Sequence, residues 1–397
     1  MEEVVNNPSS GCTAKPCTGL VLPGGGARGA YQVGVLRALA DIWSGCGGTG
    51  SPFPVISGSS AGAINAAVLA SHADSIAEAA IRLDRFWKSL HCSTIYRTDS
   101  WTILTTSLRW MLSFSPIISG FVSQPRSLLD NRPLYEFLSR ELLFGRIKEC
   151  IDAGALKGVA ITASGYTCAS AISFFQAREG IEPWSRARRH GRASRLRTEH
   201  LMGSAALPFL FPAYRIGSEY FGDGGMRMVA PLSPAIHLGA DRLLVITTRD
   251  EKPDPEPTEI PEYPSIGEVG GYLLDTIFMD RLTADLARLE RINKTLRLMS
   301  PEQYDQTPLN IINSLVIRPS VDLRDLTRKH ARDIPRPVRL LLRTLGGWGR
   351  DWRMASYLLF EPGYATELID LGYQDGMAKS DEVRAFLEEP VAETRKI

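Results

Sequence analysis

The sequence predicts an α/β fold, a mostly parallel sheet covered by helices on both faces, followed by a helical C-terminal region. Three observations carry that expectation. Over roughly the first 250 residues, apolar runs of strand length alternate with stretches of helical periodicity. Glycine-rich turns sit where two of those strands pass into helices, and a proline-dense break precedes a long helical pattern. Strands interleaved with helices require crossover connections, which lay the helices on the faces of a parallel sheet.

Residues 1–17 precede the first strand and are expected to form a flexible N-terminus. They carry no basic stretch followed by an apolar one, so they do not read as a secretory signal, and a cytoplasmic protein is expected. The first apolar run, 19–22 (GLVL), leads into Gly24-Gly25-Gly26-Ala27-Arg28-Gly29, after which 30–39 reads as a helix. Glycines at such a junction expose backbone N–H groups at the positive end of a helix, where an anion is stabilised. The spacing also satisfies G-x-G-x-x-G, which keeps a nucleotide-dependent oxidoreductase as an alternative. Against it, the second strand, 54–57 (PVIS), ends in Ser57 and offers no acidic residue to a ribose. Arg28 suits a developing negative charge or an anionic head group, and is expected to steady the glycine loop or the charge beside it.

The second strand runs into Gly58-Ser59-Ser60-Ala61-Gly62 and then an Ala-rich helical stretch, 61–70. A G-x-S-x-G between strand and helix is what a nucleophile elbow requires, because the turn strains the serine and only small neighbours fit beside it. Ser60 is the candidate nucleophile, Gly58 and Gly62 are its small neighbours, and the helix N-terminus favours its alkoxide. Further apolar runs at 158–163, 171–175 and 242–247 supply more strands. Between them a short aromatic strand ends in Asp223-Gly224-Gly225, a turn tight enough to carry the carboxylate into a cleft.

Glycine loop, serine elbow and Asp-Gly-Gly turn, in that order on an α/β scaffold, resemble the patatin-like phospholipases. The passage 202–225 (MGSAALPFLFPAYRIGSEYFGDGG) is similar to that family's small-residue and proline segment leading into its aspartate, and the resemblance spans roughly 19–248. It implies a three-layer α/β/α catalytic domain over 18–250 with a Ser60–Asp223 dyad. It further implies an oxyanion hole from Gly24, Gly25, Gly26, Arg28 and Gly29, and release of fatty acids from a lipid or phospholipid substrate without a cofactor. A non-catalytic lipid-binding regulator with the same fold is the second alternative.

An ordinary aspartate, with a pKa of about 3.9, is a poor base for a serine hydroxyl, so burial would have to raise it. The order Ser, Asp, His would let His237 complete a hydrolase triad. It lies in an apolar helical pattern just before a strand and reads as a packing or surface residue. His72, His91, His190, His200 and His330 have no supporting context. Histidines and cysteines show no metal-ligand spacing, so no metal is expected. Cys12, Cys17, Cys46, Cys92, Cys150 and Cys168 contain no C-x-x-C pair and are expected as free thiols.

A formal net charge of +1 over 397 residues argues for no partner globally, so contacts must come from local patches. The densest basic run, 186–197 (RARRHGRASRLR), reads as a solvated loop able to attract anionic phospholipid. It has no interleaved aromatics, and no nucleic-acid partner is expected. Residues 101–121 include Arg109 and Pro116 and are too broken to span a bilayer. Their Trp110, Met111, Leu112, Phe114 and Ile117 are candidates to line or cap an acyl groove, or to pack as a helix pair. Residues 251–264 (EKPDPEPTEIPEYP) read as a proline-rich linker. Ser265 and Glu268 then form a capping box, followed by Ile266, Val269, Leu273, Ile277, Leu282, Leu286, Leu289 and Ile292 at helical spacing. This opens the helical region 265–397. Within it, 335–352 (PRPVRLLLRTLGGWGRDW) mixes arginines with Leu341, Leu342, Leu345, Trp348 and Trp352, which suits packing on the catalytic domain or a membrane interface. Peripheral membrane contact is expected.

Overall fold

The computed structural model describes residues 16–99, 101, 105, 127–250, 263–349 and 351–388. Trp110, Met111, Leu112, Phe114 and Ile117, most of the proline-rich linker and the first 15 residues lie outside the described residues.

Among the described residues, ten strands form one sheet: β1 (Thr18–Leu22), β2 (Val55–Ser59), β3 (Gly158–Gly165), β4 (Ala171–Ala177), β5 (Ser185–Arg186), β6 (Arg189–Ala193), β7 (Tyr214–Ile216), β8 (Glu219–Gly222), β9 (Arg242–Ile246) and β10 (Asn313–Ile317). Their order is β10-β9-β1-β2-β3-β4-β6-β5, with β8 bonded to β3 and β7 to β8. From β10 to β3 every neighbour pairs in parallel. Each residue of β1, β2 and β9 is buried, which is why these strands read as unbroken apolar runs rather than alternating ones.

Two elements differ from the sequence reading. The basic run forms the β5–β6 edge hairpin instead of a loop, and arginines on an edge strand oppose pairing with another chain. The region read as helical supplies β10, because its apolar run, Leu315, Val316 and Ile317, is too short for periodicity to separate strand from helix.

Helices α1 (Ala30–Gly45), α2 (Ala61–Ser71) and α3 (Ile76–Lys88) follow β1 and β2. The capping box Ser265–Glu268 forms in both directions and starts α4 (Ile266–Asp275). A π-helical turn, Thr276–Asp280, joins α4 to α5 (Arg281–Leu298). Beyond β10 come α6 (Arg336–Thr344), α7 (Arg353–Leu358) and α8 (Pro362–Ala378). The last of these crosses α1 at glycines: a Cβ on Gly34 would lie 1.9 Å from the Ile369 carbonyl oxygen, and one on Gly372 would lie 2.2 Å from that of Tyr31. Backbones that close bury α1 on both sides, so the C-terminal helices share one hydrophobic core with the sheet.

Candidate active site

Strands β9, β1, β2 and β3 are parallel neighbours, so their C-terminal ends meet at one edge of the sheet, where α/β folds place their sites. There β1 opens into the glycine loop and β2 into Ser60. Strand β8, paired antiparallel to the end of β3 through Ser164–Gly222 and Gly165–Phe221, delivers Asp223 to the same edge.

Ser60 adopts φ 52° and ψ −128°, a left-handed conformation that costs a non-glycine residue about 1–3 kcal/mol. Its surroundings impose it. The Ser60 N–H donates to Ser204 Oγ at 2.9 Å, and the Ser204 hydroxyl donates to the Thr162 carbonyl at 2.6 Å. A Cβ on Gly58 would stand 2.3 Å from the Gly62 carbonyl oxygen, and one on Gly62 2.0 Å from that of Leu22. Both elbow glycines are therefore required by the close passage of β1, β2 and α2.

Asp223 is fully buried at the start of its turn, its N–H donating to the Ala206 carbonyl at 2.9 Å. Oδ1 accepts from the Gly225 N–H at 2.9 Å, while buried Oδ2 has no hydrogen bond of full geometry among the described residues. A Cβ on Gly224 would lie 2.1 Å from the Thr162 carbonyl oxygen and 3.0 Å from Ser59 Cβ, so this turn is pressed against the serine elbow. Burial pushes the Asp223 carboxyl up to about 7, against the opposing pull of the adjacent Ser60 hydroxyl and the Gly225 N–H. The structure thus brings Ser60 and Asp223 together.

The glycine loop flanks them. A Cβ on Gly24 would sit 2.9 Å from Ser60 Cβ, and Gly26 takes φ 56°, where a Cβ would lie 2.5 Å from the Tyr357 carbonyl oxygen. Gly25 abuts Thr248, and Gly29 abuts Ala61. A buried amide network fastens the loop from behind. Gln32 Nε2 donates to the Pro23 and Ile246 carbonyls, Asn65 Nδ2 donates to Gln32 Oε1 and to the Gly29 carbonyl, and Trp87 Nε1 donates to Asn65 Oδ1. Sequence reasoning missed these residues and Ser204. Each is one polar group inside an apolar pattern, and only the fold supplies its partner.

Arg28, expected to steady the glycine loop or the charge beside it, turns its side chain into contacts with α4 and α7. Nε donates to Ser356 Oγ at 2.8 Å, Nη1 to Asp275 Oδ1 at 3.2 Å, and the guanidinium lies 4.3 Å from the centre of the Tyr357 ring. Burial works to lower its pKa, and Tyr357 and Asp275 more than offset that. The arginine ties the glycine loop to α4 and α7.

His237 stacks on Trp184, and its Nδ1 faces the Ser233 carbonyl at 2.8 Å. No contact among the described residues joins it to Asp223, and burial lowers its pKa. The described residues contain no group of three or more His, Cys, Asp or Glu placed to hold a metal, and no helix long and apolar enough to cross a membrane.

Beside Ser60 opens a cleft with about 440 Å³ of empty space, part of it open to solvent. Apolar side chains line it, among them Ile64, Phe86, Trp87, Leu134, Phe211 and Phe360.

No curated protein matches this chain. Among solved structures it is similar to VipD from Legionella pneumophila, at 15% identity and a TM-score of 0.37, the match covering 93% of this chain and 68% of that one. The family model described as Patatin-like phospholipase matches residues 20–236, which hold both Ser60 and Asp223 and make up over half of the chain. With the glycine loop, the serine elbow and the aspartate turn all inside that match, the chain belongs to the patatin-like phospholipase family.

Proposed function

We propose that this chain is a serine lipid acyl hydrolase, a carboxylic ester hydrolase of the phospholipase A type. Ser60 Oγ attacks the ester carbonyl while Asp223 Oδ2 takes its proton. Backbone N–H groups around Gly25 and Gly26 hold the tetrahedral oxyanion. The alcohol or lysolipid leaves with a proton returned from Asp223, and water then attacks the acyl-serine by the same route to release the fatty acid. The acyl chain occupies the apolar cleft beside Ser60.

The observation that carries this reading is a strained serine beside a fully buried carboxylate whose pKa stands at about 7. A base near the working pH accepts a proton without being permanently protonated, which removes the objection to an aspartate acting alone. One oxyanion donor is worth about 10²–10³ in rate, so the glycine loop has a large share in the reaction. Contact with a membrane surface and a place in the cytoplasm belong to the same proposal.

A fluorophosphonate probe tests it, since only an activated serine is labelled. Wild-type protein should be labelled and Ser60→Ala should not, and the wild type should release fatty acid from a mixed lipid extract. Full esterase activity in Ser60→Ala would end the mechanism, and an unlabelled wild type would favour a non-catalytic lipid-binding regulator.

A further inference from the structure

Helix α4 exposes an apolar face. Gly267, Gly271 and Leu274 turn inward, whereas Ile266, Val269, Tyr272 and Leu273 form a stripe on the other side, with Ile266 76% and Tyr272 60% exposed. The stripe is three aliphatic side chains and one tyrosine ring, with no charge among them. The apolar residues at helical spacing are therefore split: Leu282 and Leu289 in α5 are buried, and Ile266, Val269 and Leu273 of α4 face outward. Tyr263, just before the helix, is 94% exposed. Water does not favour a contiguous patch of this kind, which marks an interaction surface.

The neighbouring helix says what kind. The Gly267 N–H donates to the Leu345 carbonyl at 2.6 Å, and a Cβ on Gly267 would lie 2.1 Å from the Gly347 nitrogen, so the end of α6 is locked to the start of α4. Val338 and Leu342 bury the inner side of α6, while Arg336, Leu340 and Arg343 follow one another at i, i+4 and i+7 on its exposed side. Residues 335–350 contain four arginines and no Asp or Glu. Arg336, Arg339 and Arg343 make no ion pair among the described residues, and Arg343 rests over the ring of Trp348. Arginines with long apolar stems and indole rings are side chains suited to the boundary between head groups and acyl chains.

We propose that α4 and α6 together dock this chain on an anionic lipid surface, the apolar stripe entering the bilayer boundary and the arginines engaging lipid phosphates. The inference rests on the lipid-hydrolase reading for its choice of a bilayer as partner. Position supports it too, because α4 continues through the π-helical turn, where Ile277 and Phe278 lie against the Asp-turn residue Gly225, so the docking face and the reaction site share one helix.

Flotation of the full chain with vesicles tests the proposal. One set is phosphatidylcholine alone, and in the other roughly a third of the lipid is phosphatidylglycerol, enough to give the surface a negative potential. Wild type should float with the anionic vesicles and much less with the neutral ones. Ile266→Glu with Leu273→Glu should abolish flotation, and Arg336→Gln with Arg343→Gln should weaken it about tenfold or more on anionic vesicles only. Both pairs should keep wild-type hydrolysis of a soluble short-chain ester. Ser60→Ala should float like wild type, so the docking result stands whether or not the chain hydrolyses lipid. Unchanged flotation of either pair, or equal binding to both vesicle types, would overturn the proposal. So would a wild-type dimer that the glutamate pair dissociates, which would assign the face to a second copy.

Discussion

The ring of Phe278 lies so close to Gly24 that a Cβ on the glycine would stand 2.7 Å from two of its carbons. The same ring would be 3.0 Å from a Cβ on Gly225, so one side chain from the π-helical turn bridges the glycine loop and the aspartate turn. Ser60, beside Gly24, is only 2% exposed. Truncation in Phe278→Ala is expected to speed fluorophosphonate labelling of Ser60 while costing about 3 kcal/mol of stability. Phe278→Leu should keep the wild-type labelling rate. Labelling by Phe278→Ala at the wild-type rate would mean that the ring does not limit access.

Asp223 sets a pH dependence whose sign follows from its burial. With the folded carboxyl pushed up to about 7, activity against a soluble ester should rise through that pH as the base ionises. Stability should move the other way. Between the ordinary aspartate pKa near 4 and the folded value, the native state binds a proton that the unfolded state has lost, so stability falls as pH rises through that window. Asp223→Asn is therefore expected to be inactive yet more stable than wild type at pH 8, by a few kcal/mol at about 1.4 kcal/mol per pKa unit. The advantage should vanish near pH 4. Thermal melts at both pH values check it, and an Asn variant less stable than wild type at pH 8 would contradict the burial argument.

Much of this was legible in the sequence. Parallel strands buried on both faces appear as short unbroken apolar runs, and the elbow glycines, the Ser265–Glu268 box and the Asp-Gly-Gly turn each have local steric or capping reasons to be where they are. What escaped depends on partners distant in the chain. Gln32 and Asn65 give no local sign that they hold the glycine loop, and Arg28 meets Asp275 across 247 residues. Helical spacing showed that α4 has an apolar stripe, but periodicity alone does not tell whether the stripe faces the core or solvent.

Steric need distinguishes glycines of similar sequence appearance. Gly62→Ala would put a methyl 2.0 Å from the Leu22 carbonyl oxygen, and Gly58→Ala 2.3 Å from that of Gly62. Each collision is with backbone, which cannot swing away, so each should cost about 3 kcal/mol or more and abolish labelling of Ser60. Gly45, at the end of α1, has nothing among the described residues within 4 Å of its Cβ position. Gly45→Ala should be neutral or stabilise by about 0.4–1 kcal/mol through the unfolded state. Denaturant unfolding of the three variants measures the contrast, and a Gly62→Ala protein as stable as Gly45→Ala would show that the elbow can relax.

Arg28 can act on the reaction in two ways, and its partners separate them. If it holds the glycine loop through α4 and α7, then Arg28→Met should lower stability by about 3 kcal/mol, the order expected for breaking a buried ion pair, and reduce kcat more than it raises KM. Lysine cannot reproduce the fork between Ser356 and Asp275 or the stacking on Tyr357, so Arg28→Lys should remain impaired despite keeping the charge. The deciding variant is Asp275→Asn, which touches the arginine from α4 without entering the site. It should lower kcat in the same direction, and the double variant with Arg28→Met should fall short of the sum of the two, since both remove one interaction. Full kcat in Asp275→Asn beside a crippled Arg28→Met would instead assign the guanidinium to the oxyanion itself.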